Sequence, residues 1–325
     1  MGAVTLLPRY DRDNGWFETL PERPPAAPLS GRVDADVVVV GAGFTGLAAA
    51  RRLGELRPDA SIVLLEAGLV GNNAAGRSSG FAIDHAHNLR AKGFGDTAEH
   101  ERRQIGLNRA GQEYLGSAVA AHGIDCGWKW AGKTHAACTA KGIRHLEHFA
   151  DSLDRIDEPY EVFDEAATVD RLGIDFYRRS LHTPGTVQMQ PAALVRGLAD
   201  NLPANIALHE ESPVTGIDLG PPHELHTDGG TVRTPELVLA NNGFAEGFGI
   251  ARGRLIPVIT WGSMTRPLTH EESASIGGDR TWGVIPADPS GTTVRRLDDG
   301  RVLVRNVYSY SRRSRIDGRA RERAG

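Results

Sequence analysis

The sequence is poor in cysteine, in aromatic residues and in long apolar runs. Its 325 residues include only Cys126 and Cys138, and phenylalanine, tryptophan and tyrosine together make up 6%. Two cysteines are too few for a disulfide framework, so a reducing compartment and a cytoplasmic protein are predicted. No apolar run approaches the roughly 20 residues of a membrane-spanning helix, so we expect no transmembrane segment.

An excess of positive charge is also missing. The 37 lysines and arginines are outnumbered by 41 aspartates and glutamates, which gives a formal net charge of −4. Binding to nucleic acid depends on basic side chains that neutralise phosphates, so no nucleic-acid partner is expected. The hydrophobic fraction of 40% is sufficient for a globular core, and the length allows two domains.

Glycine, in contrast, is abundant, and it is concentrated in a motif near the N-terminus. Residues 36–40, DVVVV, have the character of a buried parallel strand, and the glycine turn GAGFTG follows at 41–46. Residues 45–58 then predict a helix with one apolar face, and 61–66 predict a second buried strand. This order predicts one βαβ unit of the dinucleotide-binding type.

Each residue type in this unit has a physical reason. Gly41 permits the tight turn out of the strand, Gly43 lets the backbone approach a pyrophosphate, and Gly46 lets the helix pack closely on the strand. The positive end of the helix dipole then faces the phosphates. Glu66 lies 20 residues after Gly46, where a carboxylate accepts hydrogen bonds from ribose hydroxyls and repels a 2′-phosphate. The motif therefore disfavours NADP.

The fingerprint alone does not decide between NAD and FAD, but two features favour FAD. The small residues of GNNAAGRSSG, 71–80, would let the main chain lie beside a flat ring system, with Arg77, Ser78 and Ser79 near the pyrophosphate or the ribityl chain. No second βαβαβ half follows to hold a nicotinamide. Instead, strands and tight turns occupy residues 206–240.

The rest of the chain alternates between predicted helices and strands. Asp228-Gly229 is a strong signal for a hairpin turn. Helices are predicted at about 97–122, 142–156 and 191–202, a strand pair within 125–139, and strands within 206–240, 254–266 and 293–308.

The segments ADVVVVGAGFTGLAAARRL, VLLEA, GRSSG and VLANNG together resemble the D-amino-acid-oxidase-type (DAO) family of FAD-dependent oxidoreductases. Trp16 and the glycine turn resemble most the γ-glutamylputrescine oxidoreductase-like branch, and other segments resemble glycine oxidase-like members. The resemblance implies an α/β fold, with a Rossmann-like FAD-binding domain and an interleaved mixed-sheet (α+β) substrate domain. The implied divisions are an N-terminal arm (1–33), a discontinuous FAD-binding domain (34–95 and 186–250), a helical segment and substrate domain (96–185 and 251–311) and a basic tail (312–325).

The resemblance also implies which residues hold the cofactor. The glycine turn and Glu66 would bind the ADP part of FAD, and residues 76–80 would lie near its pyrophosphate and flavin. The backbone of Val214 would meet the adenine. The implied cofactor-binding residues are Gly41, Gly43, Phe44, Thr45, Gly46, Glu66, Ala67, Gly76, Arg77, Ser78, Ser79, Gly80, Val214, Ala240 and Asn241.

For the reaction, the resemblance implies an FAD-dependent amine or amino-acid oxidase or dehydrogenase. Hydride leaves the carbon that bears the amine, and the resulting imine hydrolyses. The substrate would be a small amine or amino acid, and oxygen or a carrier would accept the electrons. No catalytic residue is assigned from the sequence. Arg305 is a candidate for pairing with a substrate carboxylate, with an outward-facing position on an amphipathic strand as the alternative, and Trp261 and Tyr308 are candidates for lining the cleft.

A metal site is not expected. Asp84, His85 and His87 lie close together in the sequence, but no pattern supplies a further ligand.

The resemblance has one departure. Members of the family continue beyond the strand that matches 302–308, and they place a glycine-rich backbone against the pyrimidine end of the flavin. This sequence reaches Gly325 through an arginine-rich stretch instead. This departure leaves a truncated, catalytically inactive homologue, which serves as a binding or relic protein, as an alternative to the oxidoreductase hypothesis. An NAD-linked dehydrogenase is a further alternative, because the fingerprint alone does not decide between NAD and FAD.

Overall fold

The structure, a computed structural model, describes residues 2–8, 14–85, 97–288 and 290–310. The predicted basic tail 312–325 and His87 lie outside these residues. The helices are α1 (Gly15–Glu18), α2 (Phe44–Leu56), α3 (Ala98–His122), α4 (Ala140–Ile156), α5 (Glu165–Leu172), α6 (Pro191–Asp200) and α7 (His270–Ile276), with 3-10 turns at Ala75–Arg77 and Asn242–Phe248. The strands are, in chain order, β1 (Gly2–Ala3), β2 (Gly31–Asp34), β3 (Val37–Val40), β4 (Ile62–Leu65), β5 (Phe81–Ala82), β6 (Lys129–Trp130), β7 (Lys133–Ala137), β8 (Glu161–Phe163), β9 (Arg179–Thr183), β10 (Val187–Gln188), β11 (Ile206–His209), β12 (Gly216–Asp218), β13 (His223–His226), β14 (Gly230–Thr234), β15 (Glu236–Leu239), β16 (Val258–Met264), β17 (Trp282–Pro286), β18 (Thr293–Arg296) and β19 (Val302–Tyr310).

A four-stranded parallel sheet contains the predicted βαβ unit. Its strand order is β11-β4-β3-β15, and every neighbouring pair is parallel. All four valines of β3 are buried, because each face of the sheet is covered. Val37 and Val39 contact the cluster that contains α2 and α6, whereas Val38 and Val40 contact the cluster formed by a five-stranded sheet. The predicted βαβ unit is therefore confirmed.

The five-stranded sheet covers the second face of the parallel sheet. Its strand order is β1-β12-β13-β14-β2, with antiparallel pairs except between β14 and β2. The predicted hairpin at Asp228-Gly229 is present between β13 and β14, where the Thr227 hydroxyl accepts the Gly230 N–H at 3.0 Å. The layer places β12 and the segment before it next to the carboxyl ends of the parallel strands.

A seven-stranded mixed sheet forms the second half of the molecule. Its order is β16-β19-β18-β17-β7-β9-β8, and only the β17–β7 pair is parallel. Two strands are present within 125–139 as predicted, but the prediction that they pair with each other is wrong. Instead, β6 pairs with β10, and β7 pairs with β9 and β17. Gly132 separates the two strands with a φ of +65°, which turns the chain from one sheet into the other.

The predicted fold class is confirmed. A Rossmann-like parallel sheet and a mixed sheet alternate along the chain, since strands of the parallel sheet come from both 37–65 and 206–239. Helices α3, α4 and α6 occupy the predicted segments within a few residues. Among the residues that the structure describes, none of the helices combines the length and the apolar character that a bilayer crossing needs.

Candidate functional site

A cavity of about 610 Å³ opens at the carboxyl ends of β3, β4 and β15. This edge of a parallel sheet is where α/β proteins bind ligands, because the loops that follow the strands diverge there. Ten of the residues that the sequence assigns to the cofactor line this one cavity: Gly41, Gly43, Phe44, Thr45, Glu66, Ala67, Ser78, Val214, Ala240 and Asn241.

The three glycines of the turn have different local requirements. Gly41 has a φ of +102°, and a Cβ there would lie 2.9 Å from the Ala240 carbonyl oxygen. Gly46 lies against the Gly41 carbonyl oxygen, which a Cβ would overlap. A Cβ at Gly43 would meet only the Ala75 Cβ, at 3.6 Å. The fold itself therefore requires glycine at two positions, whereas at Gly43 the free space belongs to the cavity.

The N-terminus of α2 faces the cavity without a capping side chain. Gly43 is the N-cap residue, and it has no side chain to accept a hydrogen bond from the first turn. The first N–H groups of a helix have no partner within the helix, and they carry the positive end of its dipole. This end of α2, which Phe44 and Thr45 begin, is suited to an anionic group such as a diphosphate.

Glu66 ties the glycine turn to the end of β4. Its Oε2 atom accepts the Ala42 N–H at 2.8 Å and the Asn73 amide at 3.2 Å, and its Oε1 atom accepts the Gly68 N–H at 3.1 Å. Burial raises the pKa of this carboxyl group, while the hydrogen bonds that it accepts oppose the change. The side chain is thus held at the cavity wall with its oxygens ready for hydroxyl donors.

The loop after β4 carries the remaining predicted residues. Arg77 donates to the carbonyl oxygen of Asn72 at 2.9 Å and to its Oδ1 at 3.0 Å, so the guanidinium faces Asn72. Gly76 lies against the Gly71 carbonyl oxygen, which a Cβ would overlap. Gly46, Gly76, Arg77, Ser79 and Gly80 do not line the cavity, and the first three of them shape the turns that do.

Several residues that line the cavity were not assigned from the sequence, among them Phe244 and Phe248 in the 3-10 turn after β15. Leu6, Leu7 and Pro8 line the cavity, because β1 pairs with β12 and the Thr5 N–H donates to the Gly247 carbonyl oxygen at 3.1 Å. Asn73 lines it beside Glu66. The N-terminal segment has no sequence signal for this position, whereas Asn73 falls in the small-residue loop that the sequence analysis singled out as a whole.

One buried polar atom at the cavity has no hydrogen-bond partner among the residues that the structure describes. The Oδ1 of Asn241 is buried and makes no hydrogen bond in the described part of the chain. A buried amide oxygen without a partner costs free energy, so a ligand that donates a hydrogen bond there is favoured. Together with the uncapped helix and Glu66, the donor and acceptor set fits the ADP half of a dinucleotide.

The three candidates for substrate contact lie on the mixed sheet. Arg305 on β19 donates to the hydroxyls of Thr293 and Tyr308. Trp261 on β16 is the register partner of Asn306, next to a bulge, and its buried Nε1 has no hydrogen-bond partner among the described residues. Tyr308 is 43% exposed. These side chains gather at one edge of the sheet and do not line the dinucleotide cavity.

A buried ionic network lies between the two halves of the molecule. Asp84 has no exposed surface, and its carboxylate lies 3.0 Å from His85 Nδ1, 3.3 Å from Arg109 and 3.9 Å from the Lys133 ammonium. Glu158 pairs with His85 and Arg109. Burial lowers the pKa of Lys133 to about 8, against the attraction of Asp84. Each charged group in the network has a partner of opposite charge, so we interpret the network as stabilising the fold.

Comparison with known proteins identifies the family of this chain. Residues 36–324 match the family model described as DAO, FAD dependent oxidoreductase. A probable oxidoreductase OrdL from Rhizobium meliloti is 28% identical over 312 residues, which cover 94% of this chain and 67% of the relative. The γ-glutamylputrescine oxidoreductase of Escherichia coli is 29% identical over 223 residues, which cover 66% of this chain and 51% of the relative. The chain spans 51–67% of the length of these curated relatives.

Solved structures share the fold at low sequence identity. A glycine oxidase from Geobacillus kaustophilus matches with a TM-score of 0.70 and 19% identity, covering 90% of this chain and 76% of that one. An L-amino acid deaminase from Proteus myxofaciens matches with a TM-score of 0.63 and 18% identity, covering 86% and 60%. These likenesses establish the architecture.

Proposed function

The chain belongs to the DAO family of FAD-dependent oxidoreductases, and we propose that it oxidises the carbon–nitrogen bond of a small amine or amino acid. Three of the similar proteins are named for reactions of amino acids or amines: the glycine oxidase, the L-amino acid deaminase and the γ-glutamylputrescine oxidoreductase. That shared chemistry supports the proposed substrate class.

The observation that carries the proposal is the cavity at the end of the parallel sheet. It brings the uncapped end of α2, Glu66 and the small-residue loop to one place, as binding of the ADP part of FAD requires. In the proposed complex, the N–H groups at Phe44 and Thr45 face the diphosphate and Glu66 accepts ribose hydroxyls. Val214 lies beside the adenine.

Bound FAD would supply a two-electron acceptor, which the side chains of the protein cannot provide. The protein's own contribution is to bind and orient the substrate and to control its protonation. The register of the mixed sheet pairs Thr293 with Arg305 and Arg295 with Leu303, so these four residues share one face. We assign this face to the substrate side of the site.

Arg305 is the proposed partner of a substrate carboxylate. Its guanidinium is oriented by the hydroxyls of Thr293 and Tyr308, which reduces the conformational freedom that binding must remove. A planar guanidinium holds a carboxylate through two parallel hydrogen bonds. We assign Tyr308 to the wall of the same cleft. Trp261, in contrast, pairs with Asn306, the neighbour of Arg305 on β19, and so lies on the opposite face of the sheet.

Positive charge on this face also acts on the amine. Hydride can leave the carbon only when the nitrogen lone pair is free, so the substrate must react as the neutral amine. The guanidinium groups of Arg295 and Arg305 lie on the same face, and nearby cations lower the pKa of a bound ammonium group. The neutral amine would then lose hydride from its carbon, for which bound FAD would be the acceptor, and water would hydrolyse the protonated imine that remains.

The proposed division assigns the parallel sheet to one part and the mixed sheet to the other, while β1 and β2 of the predicted arm 1–33 pair with strands of the first part. The FAD-binding part would comprise 34–95 and 186–250, and the substrate part would comprise 96–185 and 251–311. A cytoplasmic location is proposed from the two cysteines, which are both free thiols.

An anaerobic titration tests the proposal. The purified protein is reconstituted with FAD, and its flavin absorbance is followed as amines and amino acids are added in the absence of oxygen. The proposal predicts that at least one of them bleaches the flavin. Protein that binds FAD but is reduced by none of them supports the inactive homologue, and protein that binds NADH and no FAD supports the NAD-linked dehydrogenase.

A further inference from the structure

Arg295 is a buried cation at the junction between the mixed sheet and the loop that follows β4. It lies on β18 and is 6% exposed. Its Nη1 donates to the carbonyl oxygens of Ser79 at 2.8 Å, Gly80 at 2.9 Å and Met189 at 2.9 Å. One nitrogen of the guanidinium thus connects β18 to two other segments of the chain.

Aromatic rings complete the surroundings of this guanidinium. Its central carbon lies 5.5 Å from the ring centre of Trp16 and 5.2 Å from that of Phe81. The Trp16 Nε1 donates to the Ser78 carbonyl oxygen at 2.9 Å. The carbonyl groups of three successive residues, 78 to 80, are therefore fixed from outside their own loop.

Gly80 shows how closely the guanidinium docks. The residue has a φ of +74°, and a Cβ there would overlap Nη1 of Arg295. Glycine is thus needed both for the backbone conformation and for the approach of the cation. Replacing Gly80 by a residue with a side chain would displace the guanidinium of Arg295.

The charge of Arg295 has no acidic partner in the described part of the chain. Its guanidinium forms no ion pair with a carboxylate there, and its buried Nε makes no hydrogen bond with the described residues. Burial lowers the pKa of Arg295 to about 10, with only the more distant charge of Asp298 opposing it. A buried cation that is solvated only by carbonyl oxygens and rings creates a positive potential around it.

We propose that Arg295 is a positioning residue for the flavin: it fixes the Ser78–Gly80 backbone along the ring system and provides an uncompensated positive charge beside it. This inference rests on the proposed function, which places that loop near the flavin. A positive potential stabilises the reduced cofactor, which carries more negative charge than the oxidised one, and it therefore raises the reduction potential.

Arg296 offers a matched control. It is the next residue on the same strand, is also 6% exposed, and donates to the carbonyl oxygens of Ser273 and Asp279 at 2.9 and 3.2 Å. Because neighbouring residues of a strand point to opposite faces, its charge lies on the side away from the loop. R295M and R296M each remove one buried guanidinium and keep an unbranched apolar chain.

The test measures the dissociation constant for FAD and the midpoint reduction potential of the bound flavin. R295M should weaken FAD binding by at least about tenfold, since it removes the charged hydrogen bonds to the carbonyl oxygens of Ser79 and Gly80 in the loop, and should shift the potential to a more negative value. R296M should leave both unchanged. R295K keeps the charge but not the planar fork, so it should weaken binding while retaining a potential close to that of the wild type.

The outcomes separate this inference from the proposed function. Wild-type protein that binds no FAD would contradict the proposed function itself. Wild-type protein that binds FAD, with R295M unchanged in affinity and potential, would overturn the role of Arg295 alone, as would equal shifts in R295M and R296M. If R295M does not fold, R295K decides: binding as tight as that of the wild type overturns the positioning role.

Discussion

The carboxylate of Glu66 accepts the backbone N–H of Ala42 at 2.8 Å. This bond joins the acid at the end of β4 to the middle of the glycine turn after β3, across 24 residues of sequence. The two parts of the dinucleotide fingerprint are therefore in direct contact, and the acid is oriented before any ribose is bound. Orientation of this kind reduces the entropy that binding must remove.

Replacing Glu66 by glutamine should weaken FAD binding about tenfold, because charge-assisted hydrogen bonds to the ribose become neutral ones. The measurement is a fluorescence titration of the apoprotein with FAD. Glu236→Gln is the matched control, since Glu236 begins β15 at the opposite edge of the same sheet and pairs with Arg57 at 2.8 Å. Equal affinity of E66Q and E236Q would remove Glu66 from the binding site.

The N-terminal segment should slow the release of FAD. Leu7 lines the cavity, whereas Val4 packs on the neighbouring hydrophobic cluster and does not reach it. Leu7→Ala should increase the rate of FAD dissociation about fivefold, as expected for roughly 1 kcal/mol of lost apolar contact. Val4→Ala should leave that rate unchanged. Stopped-flow mixing with an excess of a second apoprotein that binds FAD measures both rates, and identical rates would show that the segment does not cover the cofactor.

Arg305 should affect substrates according to their charge. Arg305→Met should raise KM for amino-acid substrates about thirtyfold, which corresponds to loss of a charged pair of ~2 kcal/mol, and should leave KM for amines without a carboxylate nearly unchanged. Arg301→Met is the control, because Arg301 pairs with Asp299 just before β19 begins. An equal effect on both substrate classes would contradict the assigned role.

The Asp84 network should make the folded state sensitive to acid. Burial alone would raise the pKa of Asp84, but the hydrogen bond and charge of His85, with the charge of Lys133, hold it well below its usual value. As the pH falls through about 4, the Asp84 carboxylate therefore becomes protonated in the unfolded chain but stays ionised in the folded protein. The contribution of Asp84 to stability is full above this pH and is lost as the pH falls through the lower folded pKa.

Asp84→Asn should consequently flatten the fall in the free energy of unfolding between about pH 5 and pH 2. Urea denaturation across this range measures the slope. The exposed Asp151 on α4 provides the control, and Asp151→Asn should retain the steepness of the wild type. A D84N slope equal to that of the wild type would show that the network does not govern acid stability.

The sequence was most informative where local chemistry determines structure. The valines of β3, the glycines of the turn and Glu66 predicted a βαβ unit, because strand, turn and helix there each follow from adjacent residues. The pairing of β6 and β7 was predicted wrongly, since both strands are short and their partners come from distant segments. The local pattern of residues in a strand does not indicate which distant strand it will pair with.

The same limit applies to the candidate site. Arg295 and Arg296 are adjacent arginines that the sequence does not distinguish. In the structure, Arg295 contacts the loop at Ser79, whereas Arg296 contacts Ser273. Only the tertiary structure shows which of the two faces the site. Leu7 lines the cavity because β1 is added to the edge of a sheet, which composition near a terminus does not reveal.

The central claim is that the diphosphate of FAD lies against the backbone of the glycine turn. Gly43 distinguishes this claim from a structural role of the motif, because a Cβ there meets only the Ala75 Cβ at 3.6 Å, whereas a Cβ at Gly46 overlaps the Gly41 carbonyl oxygen. Gly43→Ala should fold with the stability of the wild type, and Gly46→Ala should be strongly destabilised.

The most direct measurement is therefore a titration of wild-type and G43A apoprotein with FAD, with thermal unfolding of both as the reference. We expect the wild type to bind one FAD with a dissociation constant of about 1 μM or lower, and G43A to lose at least about tenfold in affinity at unchanged unfolding temperature. Wild-type protein that binds no FAD, or G43A that binds it equally well, would contradict the account.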